Sequence, residues 1–228
     1  KDIDSLMDRT AHRPLVTGMV STRGAVALGI SLSLLSVIWL ETQVNLLSAL
    51  LAAGAIVFYV CIYTLLLKRR TSSNIVWGGA AGCFPVLIGW AAVTNSISLA
   101  PIVLFLIVFW WTPPHYWPLS MQFKDDYQNA GIPMLPVVAD KNKVTSQILN
   151  YSIVMAATTF VLPFTINLTF FYWIGASILN ALFIREAYAL RNRAKNGSSD
   201  LLPMKLFNYS ITYLALLFLL IGIDPLLN

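Results

Sequence analysis

Two acidic clusters hold most of the side chains that could do chemistry: "KDIDSLMDR" at residues 1–9 and "KDDY" at 124–127. If the first is helical, Asp4 and Asp8 stand at i and i+4 on one face, whereas Asp2 and Asp4 diverge by about 200°. Carboxylates gathered at one place repel unless a cation joins them. Hard oxygen ligands that keep some waters and share a metal with phosphate oxygens are the usual way Mg²⁺ is held. The two clusters could therefore clamp a diphosphate through Mg²⁺, with Arg9, Arg13, Lys68, Arg69 and Lys124 as direct cationic partners. Solvated charge at helix ends is the bland reading of the same residues.

The histidines are His12 and His115. His12, flanked by cations in "RTAHRPLVTG", reads as an exposed loop residue. His115 follows "WWTPP" near the end of an apolar run, where Pro113 and Pro114 are expected to disrupt a helix and leave carbonyls needing partners. A polar side chain at such depth is by default a functional hypothesis. A heme-iron ligand, a proton carrier and a locally hydrogen-bonded residue are all consistent with it. Trp110, Trp111, Tyr116 and Trp117 surround it in sequence, as an interfacial aromatic belt or as the walls of a pocket for a cation or a flat ligand.

The elements that position these groups follow from composition. The chain has 228 residues, is 57% hydrophobic and 11% charged, and its mean hydropathy is +0.72, which marks an integral membrane protein. Breaking the apolar runs at Pro, Asn and Ser clusters predicts seven transmembrane helices at 22–40, 44–66, 75–94, 97–119, 145–165, 168–189 and 205–223. The fold class is therefore all-α, a polytopic transmembrane helical bundle. Small residues in "GGAAG" at 78–82 and "LLAAGA" at 50–55 allow close helix packing. Pro85, Pro113, Pro114 and Pro163 are expected to kink or end helices and leave room for a cavity.

With this topology all fifteen Lys and Arg fall on one face of the membrane, the cytoplasmic one by the positive-inside rule. Only Glu41 and Asp224 among the acids lie opposite. Orientation alone explains a basic face, so the net charge of +5 argues little about substrate, and no nucleic-acid motif is present. Cys61 and Cys83 lie within apolar segments and read as core residues.

"DIDSLMDRTAHRPLVTG", "YTLLLKRRTSSNIVWGGAAG" and "WTPPHYWPLSMQFKDDYQNAGIPMLPVV" resemble, in order and spacing, the signature segments of the heme O synthase family. That family belongs to the intramembrane UbiA-type prenyltransferase superfamily. The resemblance runs from Lys1 to about Val138; the last third matches only as further spans. It implies nine transmembrane helices, so the seven read here, one membrane-embedded domain over residues 1–228, would follow two more upstream. The first acidic motif of the family, Asn-x-x-x-Asp-x-x-x-Asp, places its final Asp on Asp4 and assigns nothing to Asp8. The adjacent pair Asp125 and Asp126 favours the heme branch over relatives that prenylate quinone precursors.

The resemblance implies a transferase that joins the farnesyl group of farnesyl diphosphate to the 2-vinyl group of heme b, with addition of water, giving heme O. Heme b is then a substrate, and Mg²⁺ the cofactor. Implied roles are Asp4, Asp125 and Asp126 as metal ligands, with Lys124 beside them in catalysis. Arg9, Arg13, Lys68, Arg69 and Asn74 fall to the diphosphate, Asn74 having helix capping as its other reading. His115, Tyr116 and Trp117 fall to the heme. A bacterial inner membrane, with the active site on its cytoplasmic side, is the implied location, the mitochondrial inner membrane being second choice. The lipid bilayer, and downstream a heme A synthase or terminal oxidase, are the implied partners. A prenyltransferase of aromatic quinone precursors is the competing enzyme, and a transporter the competing class.

Overall fold

A computed structural model describes residues 1–8 and 10–227. The helices are α1 (Pro14–Thr17), α2 (Thr22–Gln43), α3 (Leu46–Val57), α4 (Asn74–Thr94), α5 (Leu99–Gln122), α6 (Lys124–Asn129), α7 (Leu135–Val138), α8 (Lys141–Thr159), α9 (Phe170–Lys195) and α10 (Pro203–Ile223). Between α3 and the next loop the helix widens into a π-helical stretch, Phe58–Leu67. Among the described residues there is no β-strand. Six segments are long and apolar enough to cross a membrane: Thr22–Gln43, Leu46–Leu67, Asn74–Thr94, Leu99–Gln122, Lys141–Phe164 and Pro203–Leu227. The remaining expected span, 168–189, forms α9, but its charge-free part runs only from Phe170 to Ile184, roughly 22 Å of helix at about 1.5 Å per residue.

The chain forms two compact units, Lys1–Ile97 with Phe123–Val137, and Ser98–Gln122 with Val138 onward. In the first, α3 packs between α2 and α4. Asn45 caps α3 by accepting from the Ser48 amide at 2.9 Å, and its own amide donates to the Ala91 carbonyl at 2.8 Å. One side chain thus fixes both the start of α3 and the end of α4. Gly78 lets α4 approach the π-helical stretch, since a Cβ there would stand 2.6 Å from Cε2 of Tyr63. Cys83 is buried, its thiol donating to the Gly79 carbonyl at 3.0 Å, but Cys61 is exposed. The core reading of Cys61 is corrected: the helix turns it outward.

In the second unit α5 packs against α8 and α10, and α9 packs against the same two, which closes a four-helix bundle. Its core carries a chain of polar groups. Tyr213 donates to Asn180 Oδ1 at 2.7 Å, Asn180 Nδ2 donates to Thr159 Oγ1 at 2.7 Å, and Tyr172 donates to the Thr159 carbonyl at 2.8 Å. Away from water each of these groups needs such a partner, so the network fixes how α8, α9 and α10 face one another. At the start of α9 the fully buried Asp224 accepts from the amides of Thr169 and Tyr172 and from the Thr169 hydroxyl, at 2.7, 3.0 and 2.6 Å. These donors are among those a helix N-terminus leaves unpaired, and the carboxylate also meets the positive end of the helix.

Pro85, Pro113 and Pro114 do not end their helices. The helix α5 runs unbroken through Pro113, Pro114 and Pro118, and α4 through Pro85. Packing on both sides of α5 holds the helix where isolated propensity would end it. Pro163, by contrast, sits just past the end of α8 in a short 3₁₀ turn, Leu162–Phe164.

Candidate functional site

The first acidic cluster does not form one helix. Asp4 opens a single 3₁₀ turn, Asp4–Leu6, and Met7 then extends with φ −118° and ψ 122°. Asp8 therefore does not share a helical face with Asp4, and it is exposed. Met7 and Thr10 are buried and anchor the segment, and the Thr10 hydroxyl donates to the Asp4 carbonyl at 2.8 Å. This hydrogen bond holds the turn that presents the Asp4 carboxylate.

Both aspartates at this turn meet guanidinium groups. Arg13 Nη1 donates to Asp4 Oδ2 at 3.0 Å, and Arg69 Nη2 donates to Asp2 Oδ2 at 2.6 Å. The Arg69 hydrogen bond holds the Asp2 carboxyl below the usual carboxylate range. It also joins the N-terminal segment to the loop before α4, so side chains distant in sequence form one cluster of acids and cations. Lys68 lies in that loop, half-buried, and its carbonyl accepts from Asn74 Nδ2 at 3.3 Å. Asn74 is fully buried with its Oδ1 lacking a partner. One of its two amide N–H groups is spent on the loop, which positions Lys68. Helix capping does not describe it: Ser73 is the capping position of α4.

Lys124, Asp125 and Asp126 form the first turn of α6, where acids suit the positive helix end. Buried Tyr127 and Ile132 anchor this short helix, and Gly131 supplies the positive φ of 65° that closes it. Adjacent positions on a helix point about 100° apart; Asp125 is exposed and Asp126 half-buried. Among the described residues no three His, Cys, Asp or Glu converge as a metal site, so Asp4, Asp125 and Asp126 do not form a preassembled cage. Arg9 lies outside the described residues. His12 is exposed.

In the second unit His115 is 8% exposed and lies within α5, facing α10. Its ring stacks between Trp111, 4.2 Å away at 14°, and Phe207, 4.7 Å away at 20°. Its Nδ1 is 2.6 Å from the Ser210 hydroxyl, which is itself bonded to the Phe207 carbonyl. A hydroxyl has one proton. With that proton donated to the carbonyl, Ser210 accepts from His115 Nδ1–H, and Nε2 keeps its lone pair. Trp111 Nε1 donates to the Ser210 backbone carbonyl at 2.9 Å and completes the frame.

Tyr116 touches the imidazole edge-on at 4.8 Å and is 42% exposed. Trp117 is two residues from His115, about 200° around the helix, and packs instead on Tyr151 of α8. The structure thus brings together His115 and Tyr116 but turns Trp117 to another face, with its buried Nε1 unpartnered. Ser210 and Phe207 are the neighbours of His115 that were not read from sequence. The available signal was Ser210, a small hydroxyl within a membrane-length helix.

Several helices of membrane length and apolar composition define a polytopic helical membrane protein. The model of the UbiA prenyltransferase family matches residues 1–211, and the chain belongs to that family. Relatives called "Protoheme IX farnesyltransferase" span it end to end. Those of Streptomyces avermitilis and Streptomyces coelicolor are each 52% identical over 100% of this chain and 75% and 73% of their own lengths. That of a Parafrankia species is 50% identical over 100% of this chain and 72% of its own length. No solved structure matches the chain.

Proposed function

We propose that the protein transfers the farnesyl group of farnesyl diphosphate to the 2-vinyl group of heme b, with water addition, giving heme O. The observation that carries this reading is identity of about half, along the whole chain, to relatives named for farnesyl transfer to protoheme IX. In the reaction the farnesyl C1–O bond breaks and its electron pair leaves with diphosphate. The vinyl π pair forms the new carbon–carbon bond, water captures the resulting cation next to the porphyrin, and one proton departs.

Arg13, Arg69, Lys68 and Lys124, with Arg9, neutralise the diphosphate as it leaves, the electrostatic stabilisation that dominates such a step. Arg13 and Arg69, paired with Asp4 and Asp2, are held in place before substrate arrives. Mg²⁺ is commonly held by one or two carboxylates plus substrate phosphates, so the oxygen donors of Asp4, Asp125 and Asp126 fit a metal that enters with the diphosphate. When bound, the metal supplies Lewis-acid stabilisation of the leaving group. His115, with Nε2 unprotonated, is the contact for heme iron, and exposed Tyr116 lies beside it. The protein is a multi-pass protein of a bacterial cell membrane, with the acidic and basic cluster on the cytoplasmic side by the positive-inside rule, and heme A synthase or a terminal oxidase receives its product.

Membranes carrying the protein, incubated with heme b, farnesyl diphosphate and Mg²⁺, are expected to yield farnesylated heme by mass analysis of extracted pigments. Asp125→Asn should lower the yield about 100-fold or more. Prenylated hydroxybenzoate in place of farnesylated heme would overturn the heme reading.

A further inference from the structure

Toward the ends of α9 and α10 lies a second charged cluster, distinct from the residues assigned above to prenyl transfer. Glu186 of α9 is buried, its side chain 8% exposed, between Arg185, whose Nη2 is 3.1 Å from Oε1, and Lys205 of α10, whose Nζ is 3.3 Å from Oε2. Lys205 spends at most one of its three donors on Oε2. Both cationic side chains are mostly exposed, at 68% and 61%. A guanidinium has five N–H donors and an ammonium three, so most remain unused. With Leu182, Asn208, Tyr209 and Thr212 they line an open cavity of about 380 Å³.

Two cations against one carboxylate leave the cavity one net positive charge, and its remaining polar lining can donate hydrogen bonds. An anion is therefore the complementary ligand. The surface below the cavity is apolar. Ile178 continues the α9 face of Leu182 and Arg185 at helical spacing, and Leu216 and Leu219 continue the α10 face of Lys205, Tyr209 and Thr212; all three are exposed. A ligand that fits both parts carries its charge at one end and hydrocarbon at the other. Phe207 and Ser210, which frame His115, lie about 140–160° around α10 from Lys205 and Thr212, so this is not a pocket for heme carboxylates bound at that histidine.

We propose that the cavity between Arg185, Glu186 and Lys205 binds the phosphate headgroup of an anionic phospholipid, whose acyl chains lie along the exposed apolar stripe of α9 and α10. Glu186 sets the two cationic heads at the spacing the phosphate meets. The site does not depend on the identity of the prenyl acceptor. Because the flanking α9 end adds Arg191, Arg193 and Lys195, diffuse attraction of anionic lipid is expected as well, and the test must separate it from a defined site.

The full chain, purified in detergent, is titrated with phosphatidylglycerol, phosphatidylcholine or inorganic phosphate and followed by native mass spectrometry. The expected result is one retained phosphatidylglycerol, with phosphatidylcholine bound about tenfold more weakly or worse. Arg185→Gln should weaken retention about three- to tenfold and the pair Glu186→Gln with Lys205→Met at least tenfold, the pair being removed together so that no buried charge is left alone. Lys195→Gln, on the same end but outside the cavity, removes only diffuse attraction and should weaken retention less than about twofold. If the double variant does not fold, Arg185→Gln against Lys195→Gln decides. Equal losses from those two, equal binding of phosphatidylcholine, or displacement of phosphatidylglycerol by millimolar phosphate would overturn the proposal.

Discussion

Removing the Ser210 hydroxyl tests whether the frame around His115 sets its chemistry. In Ser210→Ala the Nδ1–H of an almost fully buried imidazole loses an acceptor at 2.6 Å. A buried donor left unpaired costs about 1–3 kcal/mol, a cost the ring avoids by moving its proton to Nε2, which cannot then ligate iron. Loss of the partner that orients a metal-ligating histidine typically costs 10–100-fold in metal affinity, or about 1.4–2.8 kcal/mol. The two routes give the same size of effect, so heme b should bind Ser210→Ala about 10–100-fold more weakly. Heme titration followed by the Soret band measures this directly. Ser210→Thr, which keeps the hydroxyl, should bind close to wild type, and His115→Ala should abolish the band shift. An unchanged dissociation constant and band position in Ser210→Ala, with His115→Ala impaired, would refute the tautomer argument; unchanged binding in both would remove His115 from the heme site.

Other expectations concern the scaffold. Asp224→Ala strips three donors of their acceptor and should destabilise the second unit by about 2–4 kcal/mol, read as a lower unfolding midpoint in detergent; an unchanged midpoint would mean water replaces the carboxylate. Gly78→Ala forces a Cβ to within 2.6 Å of Tyr63, whereas Gly82 has nothing within 4 Å of the same added atom. The first substitution should cost about 1–3 kcal/mol of strain and the second little, and equal midpoints would show that Tyr63 swings away freely. Asn180→Leu leaves the Tyr213 hydroxyl without its acceptor and should cost about 1–3 kcal/mol, with thermal unfolding again the measure; a midpoint equal to wild type would show the network to be dispensable.

The spans were legible because lipid demands long apolar runs, and several helices begin and end within a few residues of the expected positions, although α8 stops before the expected end and α9 runs past it. Thr22–Gln43 against 22–40 and Asn74–Thr94 against 75–94 are examples. What pattern could not supply was the effect of neighbours. Pro113 and Pro114 are helix breakers by propensity, yet α5 continues because α8 and α10 pack on it. Asp4 and Asp8 match an i, i+4 spacing, but Met7 leaves the helical region between them. Asp224, near the chain end, carried no motif at all; its role exists only because Thr169, some 55 residues earlier in sequence, returns to it. The pairing of Asp2 with Arg69 likewise crosses 67 residues. Local spacing sees neither.

The π-helical stretch Phe58–Leu67 carries a consequence for the loop that follows it. A π turn accommodates an additional residue relative to α winding, and each residue turns an α-helix by about 100°. Deleting one residue within 58–67 would let the stretch rewind as an ordinary helix of similar length. Everything beyond it would then leave on a different bearing, and Arg69 would no longer meet Asp2. The wide winding thus works as an angular register that aims a basic loop, so the chain should tolerate most side-chain changes along this stretch far better than the loss of a single residue.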